Sequence, residues 1–526
     1  MLRIIKNPVL TGFHPDPSLI RVGETFYLAN STFEWYPGVR IYESKNLKDW
    51  NFVSMPLDNL RLLDLRGIGS SEGIWAPDLS WHNGIFYLVY TVVRNQGRIK
   101  DLNNYLVTAP SVKGPWSQPV YLNSSGFDPS LFHDEDGKKW LVNMLWDYRK
   151  GKGPECFTGI LLQEYDSEKK MLIGSPRNIY KGTALGYTEG PHLYKKDGYY
   201  YLMCAEGGTS YEHAVTVARS RNIDGPYETD PQNPMLTSAP ESYLKKAGHA
   251  SLVQGPEGGW YIAHLCGRPI PGTKSCVLGR ETAIQAVKWT KEGWLRLRSG
   301  KTQPEDAFRV DNVFQEGEKE PKKQKLWEYS FKDKSFLADF QTLRIPYDPE
   351  MMSLDARRGW LRLTGMEGIQ SRFCQSLLAR RQQDFSFTAK TKMEYSPTDF
   401  QHSAGLIYRY NEDNLYYLFV TYNEEIQSKT IDVCRIYAGE YTLLYEMPVQ
   451  DDEKEYILGI DVDWYTGRFF METDGKKCFL GPIFDVTNLS DDFTFGFTGA
   501  FVGICAQDLR EHRKWADFQW FQYESR

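Results

Sequence analysis

The chain has 526 residues, with 62 Lys or Arg against 68 Asp or Glu and a formal net charge of −6. That length calls for two or three domains, and the lack of a basic surplus argues against nucleic acid or an anionic membrane as partner. No apolar run reaches the roughly 20 residues of a membrane-spanning helix. The opening Met1 to Pro8 is too soon interrupted for a secretory leader, so a cytoplasmic protein is expected.

One pattern recurs along the N-terminal part: a small or polar lead residue, two more, Leu, a stretch with Gly, then an aromatic and an aliphatic. It reads Asp16-Pro-Ser-Leu19 to Tyr27-Leu28, then Ala76-Pro-Asp-Leu79 to Tyr87-Leu88, then Asp128-Pro-Ser-Leu131 to Trp140-Leu141. Gly190-Pro-His-Leu193 to Tyr201-Leu202 and His249-Ala-Ser-Leu252 to Tyr261-Ile262 complete it, with Gly259 as the turn residue of the last copy. Each copy predicts two short strands joined by a hairpin. The spacing of roughly 50 to 60 residues suits four strands with their turns, and five copies predict a five-bladed β-propeller over residues 1–310.

Near residue 303 the repeat stops, and the charged, Pro-containing stretch 311–325 reads as a linker. Alternating strands resume beyond it, as in Phe385–Tyr395 and Ala404–Tyr410, so residues 326–526 are expected to form a β-sandwich of the jelly-roll or concanavalin-like kind. Phe493, Phe495 and Phe497 alternate like a strand. The whole is all-β, and its 33 Tyr, 28 Phe and 15 Trp fit both pleated cores and sugar binding. The eight cysteines are scattered through apolar runs without a CxxC pair, which predicts buried free thiols.

In a propeller the first strand of each blade lines the channel, so equivalent repeat positions converge on one axis. The lead positions hold Asp16, Ala76, Asp128, Gly190 and His249, with Trp75 and Glu189 immediately before two of them. Taken singly, each has a structural reading: Asp before Pro forms turns, a lone Glu sits in solvent, and His or Trp packs in a core. Three carboxylates in repeat phase favour function. Glycosidic cleavage needs such a set: one protonated acid for the leaving oxygen, one ionised carboxylate for water or direct attack, and a neighbour that separates their pKa values. A divalent-metal hydrolase is the other chemistry three carboxylates suit, although no HxxxH or Cys/His cluster supports it.

The stretches Gly12–Ser18, Ser31–Gly38, Gly73–Asp78, Ser125–Leu131, Thr188–Leu193 and Leu278–Ile284 resemble glycoside hydrolase family 43. More narrowly, they resemble its bacterial β-xylosidases with a C-terminal β-sandwich. The resemblance implies an inverting, exo-acting enzyme that removes xylose from the non-reducing ends of xylo-oligosaccharides. It implies Asp16 as general base, Glu189 as general acid and Asp128 as the carboxylate that tunes and orients the acid. Phe33, Trp75 and Trp146 become walls of the sugar pocket, Arg280 a donor to sugar hydroxyls, and Phe501 the sandwich residue closing the far side, with a core role for Phe501 as the alternative. His249 matches a channel histidine that contacts a divalent, calcium-like cation in some members, so a cation stays open rather than required. Gly190 departs from the Ala that often follows the acid. The resemblance also leaves open a homo-oligomer, a dimer or tetramer, as often found among such relatives. Two rivals remain: an α-L-arabinofuranosidase or bifunctional enzyme, and a non-catalytic sugar-binding propeller.

Overall fold

The computed structural model describes residues 3–310, 325–450 and 452–526, so all of the expected linker except Lys325 lies outside the described residues. Each repeat copy becomes the inner hairpin of a blade. The motif Leu pairs with the motif aliphatic in all five: Leu19 with Leu28, Leu79 with Leu88, Leu131 with Leu141, Leu193 with Leu202 and Leu252 with Ile262. All ten are buried, which is why the pattern keeps an aliphatic at both places. In the fifth hairpin the left-handed turn residue is Gly258 (φ +85°) rather than Gly259.

The innermost strands are Ser18–Val22, Asp78–His82, Ser130–His133, Glu189–Lys196 and Lys245–Gln254. Each heads an antiparallel sheet of four or five strands. Their third motif residues link the blades around the axis. Ser18 Oγ donates to Asp78 Oδ1 (3.0 Å), Asp78 Oδ2 accepts from Leu131 N (3.0 Å), and Ser130 Oγ donates to the Pro191 carbonyl (2.5 Å). Leu252 N donates to the Tyr194 hydroxyl (2.7 Å) between the fourth and fifth blades, and Ser251 Oγ closes the ring, donating to the Pro17 carbonyl (2.8 Å) and accepting from Leu19 N (2.9 Å). Strand Arg3–Lys6 pairs antiparallel with Ala307–Val310, bringing the beginning and end of this region together.

The C-terminal region stacks two eight-stranded sheets. Leu361, Phe387, Leu458, Ile460 and Phe518 from one face Leu378, Leu406, Leu418, Val502 and Ile504 from the other, all fully buried. The second sheet ends in a strand borrowed from the first blade: Trp35 and Tyr36 pair with Leu343 and Thr342. The two domains thus share a sheet. The expected strand through Phe493 and Phe495 is instead a four-residue helix, Asp491–Thr494, followed by a left-handed Phe495 (φ +57°). All eight cysteines are free; six are buried, Cys374 is half-buried, and Cys478 departs from expectation by standing exposed on an edge strand. Among the described residues no helix is long and apolar enough to cross a membrane.

Candidate active site

Four of the five lead positions are left-handed: Asp16 (φ +49°), Asp128 (+54°), Gly190 (+56°) and His249 (+50°). Asp and His tolerate this region better than branched residues, and Gly does so without strain. Gly190 has a second reason to lack a side chain, since a Cβ there would lie 3.0 Å from Nε2 of the His249 ring. The fourth blade therefore supplies its carboxylate one residue earlier, from Glu189, opposite Ala205 and just before an irregularity in the pairing.

These heads open into a cavity of about 480 Å³ lined by Asp16, Asp128, Glu189, His249 and Arg280, with Phe33, Trp75 and Trp146 among its walls. Asp16 accepts from Ser31 Oγ (2.5 Å) and faces Arg280 Nη1 at 3.6 Å and His249 Nδ1 at 3.9 Å. Those are the partners of an acceptor carboxylate. Asp128 Oδ2 accepts from Gly190 N (3.0 Å), which ties it to the peptide following Glu189. Burial pushes the Glu189 carboxyl up to about 8, with Arg280 opposing and Asp16 adding to the rise. Asp128 also rises, from burial first and then from the charges of Glu189 and Asp16. Burial holds His249 down to about 4 and His213 to about 3, so both rings are neutral at neutral pH.

The aromatic walls form a box. Trp75 lies 5.0 Å from Phe127, 6.4 Å from Phe33 and 5.7 Å from Phe497, centroid to centroid. Lys100, whose ammonium sits 4.7 Å over Trp146, borders the same space. Arg280 Nε and His213 Nε2 are buried without hydrogen-bond partners among the described residues, and both side chains line the cavity. They are ready donors or acceptors for a polyhydroxylated guest.

Phe501 is not in the wall. It is fully buried, stacked on Trp35 at 3.7 Å, because it opens strand Phe501–Asp508 inside the sandwich. The residue that reaches the cavity is Phe497, whose ring lies 4.7 Å from the Arg280 guanidinium. Phe497, Phe127, Lys100, Gln96 and His213 escaped sequence reasoning. Phe127 stands inside the Ser125–Leu131 stretch, directly before Asp128, and Phe497 four residues before Phe501; Lys100, Gln96 and His213 lie outside every motif.

For a cation, His249 offers one neutral imidazole. Among the described residues it belongs to no group of three metal-ligating side chains; the one such group is Cys276, Asp491 and Asp492, where Lys246 Nζ already lies 3.2 and 2.7 Å from the two carboxylates. A calcium-like ion at His249 would have the Asp16 carboxylate beside it, Oδ1 lying 3.9 Å from Nδ1, and would take further oxygen ligands from water.

The profile of the Glycosyl hydrolases family 43 matches residues 5–295, and that of the Beta xylosidase C-terminal Concanavalin A-like domain matches residues 328–524. The chain belongs to glycoside hydrolase family 43. It is 44% identical to the beta-xylosidase of Bacillus subtilis strain 168, covering 99% of this chain and 100% of that protein. It is also 44% identical to the xylosidase/arabinosidase 43B of Humicola insolens, over 99% and 97% of the two chains. The crystal structure of a xylan beta-1,4-xylosidase from Bacillus halodurans C-125 superimposes with a TM-score of 0.94 at 52% identity, over 99% of this chain and 100% of that one. This family-43 glycoside hydrolase is thus a five-bladed propeller joined to a concanavalin-like sandwich over nearly its whole length.

Proposed function

We propose that the enzyme is an exo-acting, inverting β-D-xylosidase that releases xylose from the non-reducing ends of xylo-oligosaccharides. The observation that carries the reading is that Asp16 and Glu189, from different blades, face one aromatic-walled cavity in contrasting settings. Both are buried, but Asp16 accepts from a hydroxyl and sits against a guanidinium, whereas Glu189 holds its proton to about pH 8. Asp16 takes a proton from water as that water attacks the anomeric carbon. Glu189 gives its proton to the departing glycosidic oxygen, and the sugar leaves with inverted configuration. Asp128 orients the acid through the Gly190 amide and discourages a second negative charge beside it. The aromatic box stacks against the sugar, and Phe497 from the sandwich limits the space beyond it, which favours attack at chain ends.

Proton NMR of xylobiose hydrolysis tests this, with α-xylose expected as the first-formed anomer; β-xylose would overturn inversion, and no hydrolysis would overturn the activity. An α-L-arabinofuranosidase activity is the second reading, supported by the double name of the Humicola insolens relative. A higher kcat/KM on 4-nitrophenyl α-L-arabinofuranoside than on the β-D-xylopyranoside would establish it as the main one. The proposal includes a cytoplasmic location, supported by eight unpaired cysteines. It also includes a homo-oligomer, supported by exposed Tyr441, Leu443, Phe479 and Ile483 on two edge strands of the sandwich. A calcium-like cation beside His249 is an optional addition to this chemistry.

A further inference from the structure

Ser71 lies between the first and second blades, outside every repeat motif, buried and left-handed (φ +60°). It does not line the cavity, yet each of its polar groups holds something that bears on it. Its N–H donates to Glu34 Oε2 (3.0 Å), the residue after Phe33. Its carbonyl accepts from Trp75 Nε1 (3.0 Å) and from Gln96 Nε2 (2.9 Å). Its Oγ accepts from the backbone N–H of Phe497 (2.9 Å), a residue 426 positions away in the other domain. Phe33, Trp75, Gln96 and Phe497 all line the cavity.

The turn that presents Ser71 is itself fixed from both domains. Glu72 accepts from Gly69 N and Gln96 N at 2.8 Å each, and Ser70 Oγ bonds to Glu412 of the sandwich. On the sandwich side a Cβ at Gly496 would lie 2.8 Å from Ser71 Oγ and 2.5 Å from the Tyr410 hydroxyl, so the loop carrying Phe497 fits against Ser71 only with glycine there.

We infer that Ser71 is a positioning residue for substrate selection, setting the placement of pocket walls contributed by the two domains. The inference rests on the sugar-pocket reading above. Among the hydrogen bonds of Ser71 none goes to Asp16, Asp128 or Glu189, so its loss acts on the fit of the sugar rather than on proton transfer. The hydroxyl fixes Phe497, and a displaced Phe497 enlarges the space by which one pentose ring form is told from another.

Ser71→Gly tests this in the full-length enzyme, because it deletes the hydroxyl, keeps the N–H and carbonyl, and suits the positive φ. The readouts are steady-state kinetics on 4-nitrophenyl β-D-xylopyranoside and α-L-arabinofuranoside, and hydrogen–deuterium exchange of segment 495–499. The expected result is a KM for the xyloside raised about three- to tenfold, the range for one buried hydrogen bond. With it come a kcat changed less than about twofold, a narrowed preference between the glycosides, and faster exchange of the segment. Gly496→Ala, pressing on the same contact from the other side, reproduces the pattern and decides the matter alone if the Ser71 variant does not fold. Unchanged KM and exchange, or a fall in kcat at constant KM, would overturn the inference. A wild type inert on both glycosides would instead overturn the proposed activity, while exchange would still read the Ser71 contact.

Discussion

Glu189 shows how one residue's surroundings create a catalytic group. An exposed glutamate would be ionised at neutral pH, whereas burial between Asp16 and Asp128 pushes this one up to about 8. The same shift has a cost in stability. Its folded value lies above the ordinary 4.5, so the folded protein holds more protons than the unfolded chain in that window. Stability therefore falls as pH rises from about 4.5 towards about 8. Glu189→Gln removes the titration, and urea denaturation should find the variant more stable than wild type at about pH 9, with the advantage shrinking towards about pH 5. Its kcat on xylobiose should fall by about 10²- to 10⁴-fold. It should fall far less on a 2,4-dinitrophenyl xyloside, whose leaving group needs no proton. Asp16→Asn, which removes the base, should depress both substrates alike. Equal losses for Glu189→Gln on the two substrates would argue against its role as acid.

At the scale of elements, the inner strands form a hydrogen-bonded ring as well as a lining. Asp78 is its most heavily used member, accepting from Ser18 Oγ and Leu131 N and facing His192 Nδ1 at 3.4 Å. Asp78→Ala strands a buried N–H and a buried hydroxyl at once, and chemical denaturation should register a loss of about 2–4 kcal/mol. Asp78→Asn, which keeps an acceptor oxygen, should lose less; equal losses would mean that the ring is not what the residue supports. The ring was legible in part. Sequence marked the five strands because their hairpins are local and repeat, and it put the carboxylates on one axis because repeat phase is geometry. It could not reveal the left-handed backbone that makes Gly190 necessary, nor that His249 meets that glycine across the channel. Sequence leaves Phe501 between pocket wall and sandwich core, and does not single out Phe497, because the path of that loop depends on an interdomain contact, and such contacts leave no periodic trace.

At the scale of the whole molecule the two domains share structure: the Trp35–Tyr36 strand completes a sandwich sheet, and the Trp35 ring stacks on Phe501, so the two are expected to unfold together. A buried charge cluster completes the joint. Lys246, three residues before His249 and only 3% exposed, reaches Asp491 and Asp492 on the short helix leading to Phe497, and Asp492 also accepts from Cys276 N (3.0 Å). Burial already pushes Asp491 up to about 6 with Lys246 opposing the rise. Lys246→Met takes away the opposing charge, so the Asp491 carboxyl rises further and the fold must either bury an unpaired anion or bind a proton. The variant should lose about 3–5 kcal/mol at about pH 8, the usual cost of removing one partner from a buried pair. Protonation relieves that cost, so the deficit should shrink as pH falls towards about 5. Urea denaturation across this range checks the size and the slope, and calorimetry should show one transition for wild type. A deficit independent of pH would remove Asp491 from the explanation, and two well-separated wild-type transitions would show that the shared sheet does not make the domains unfold together.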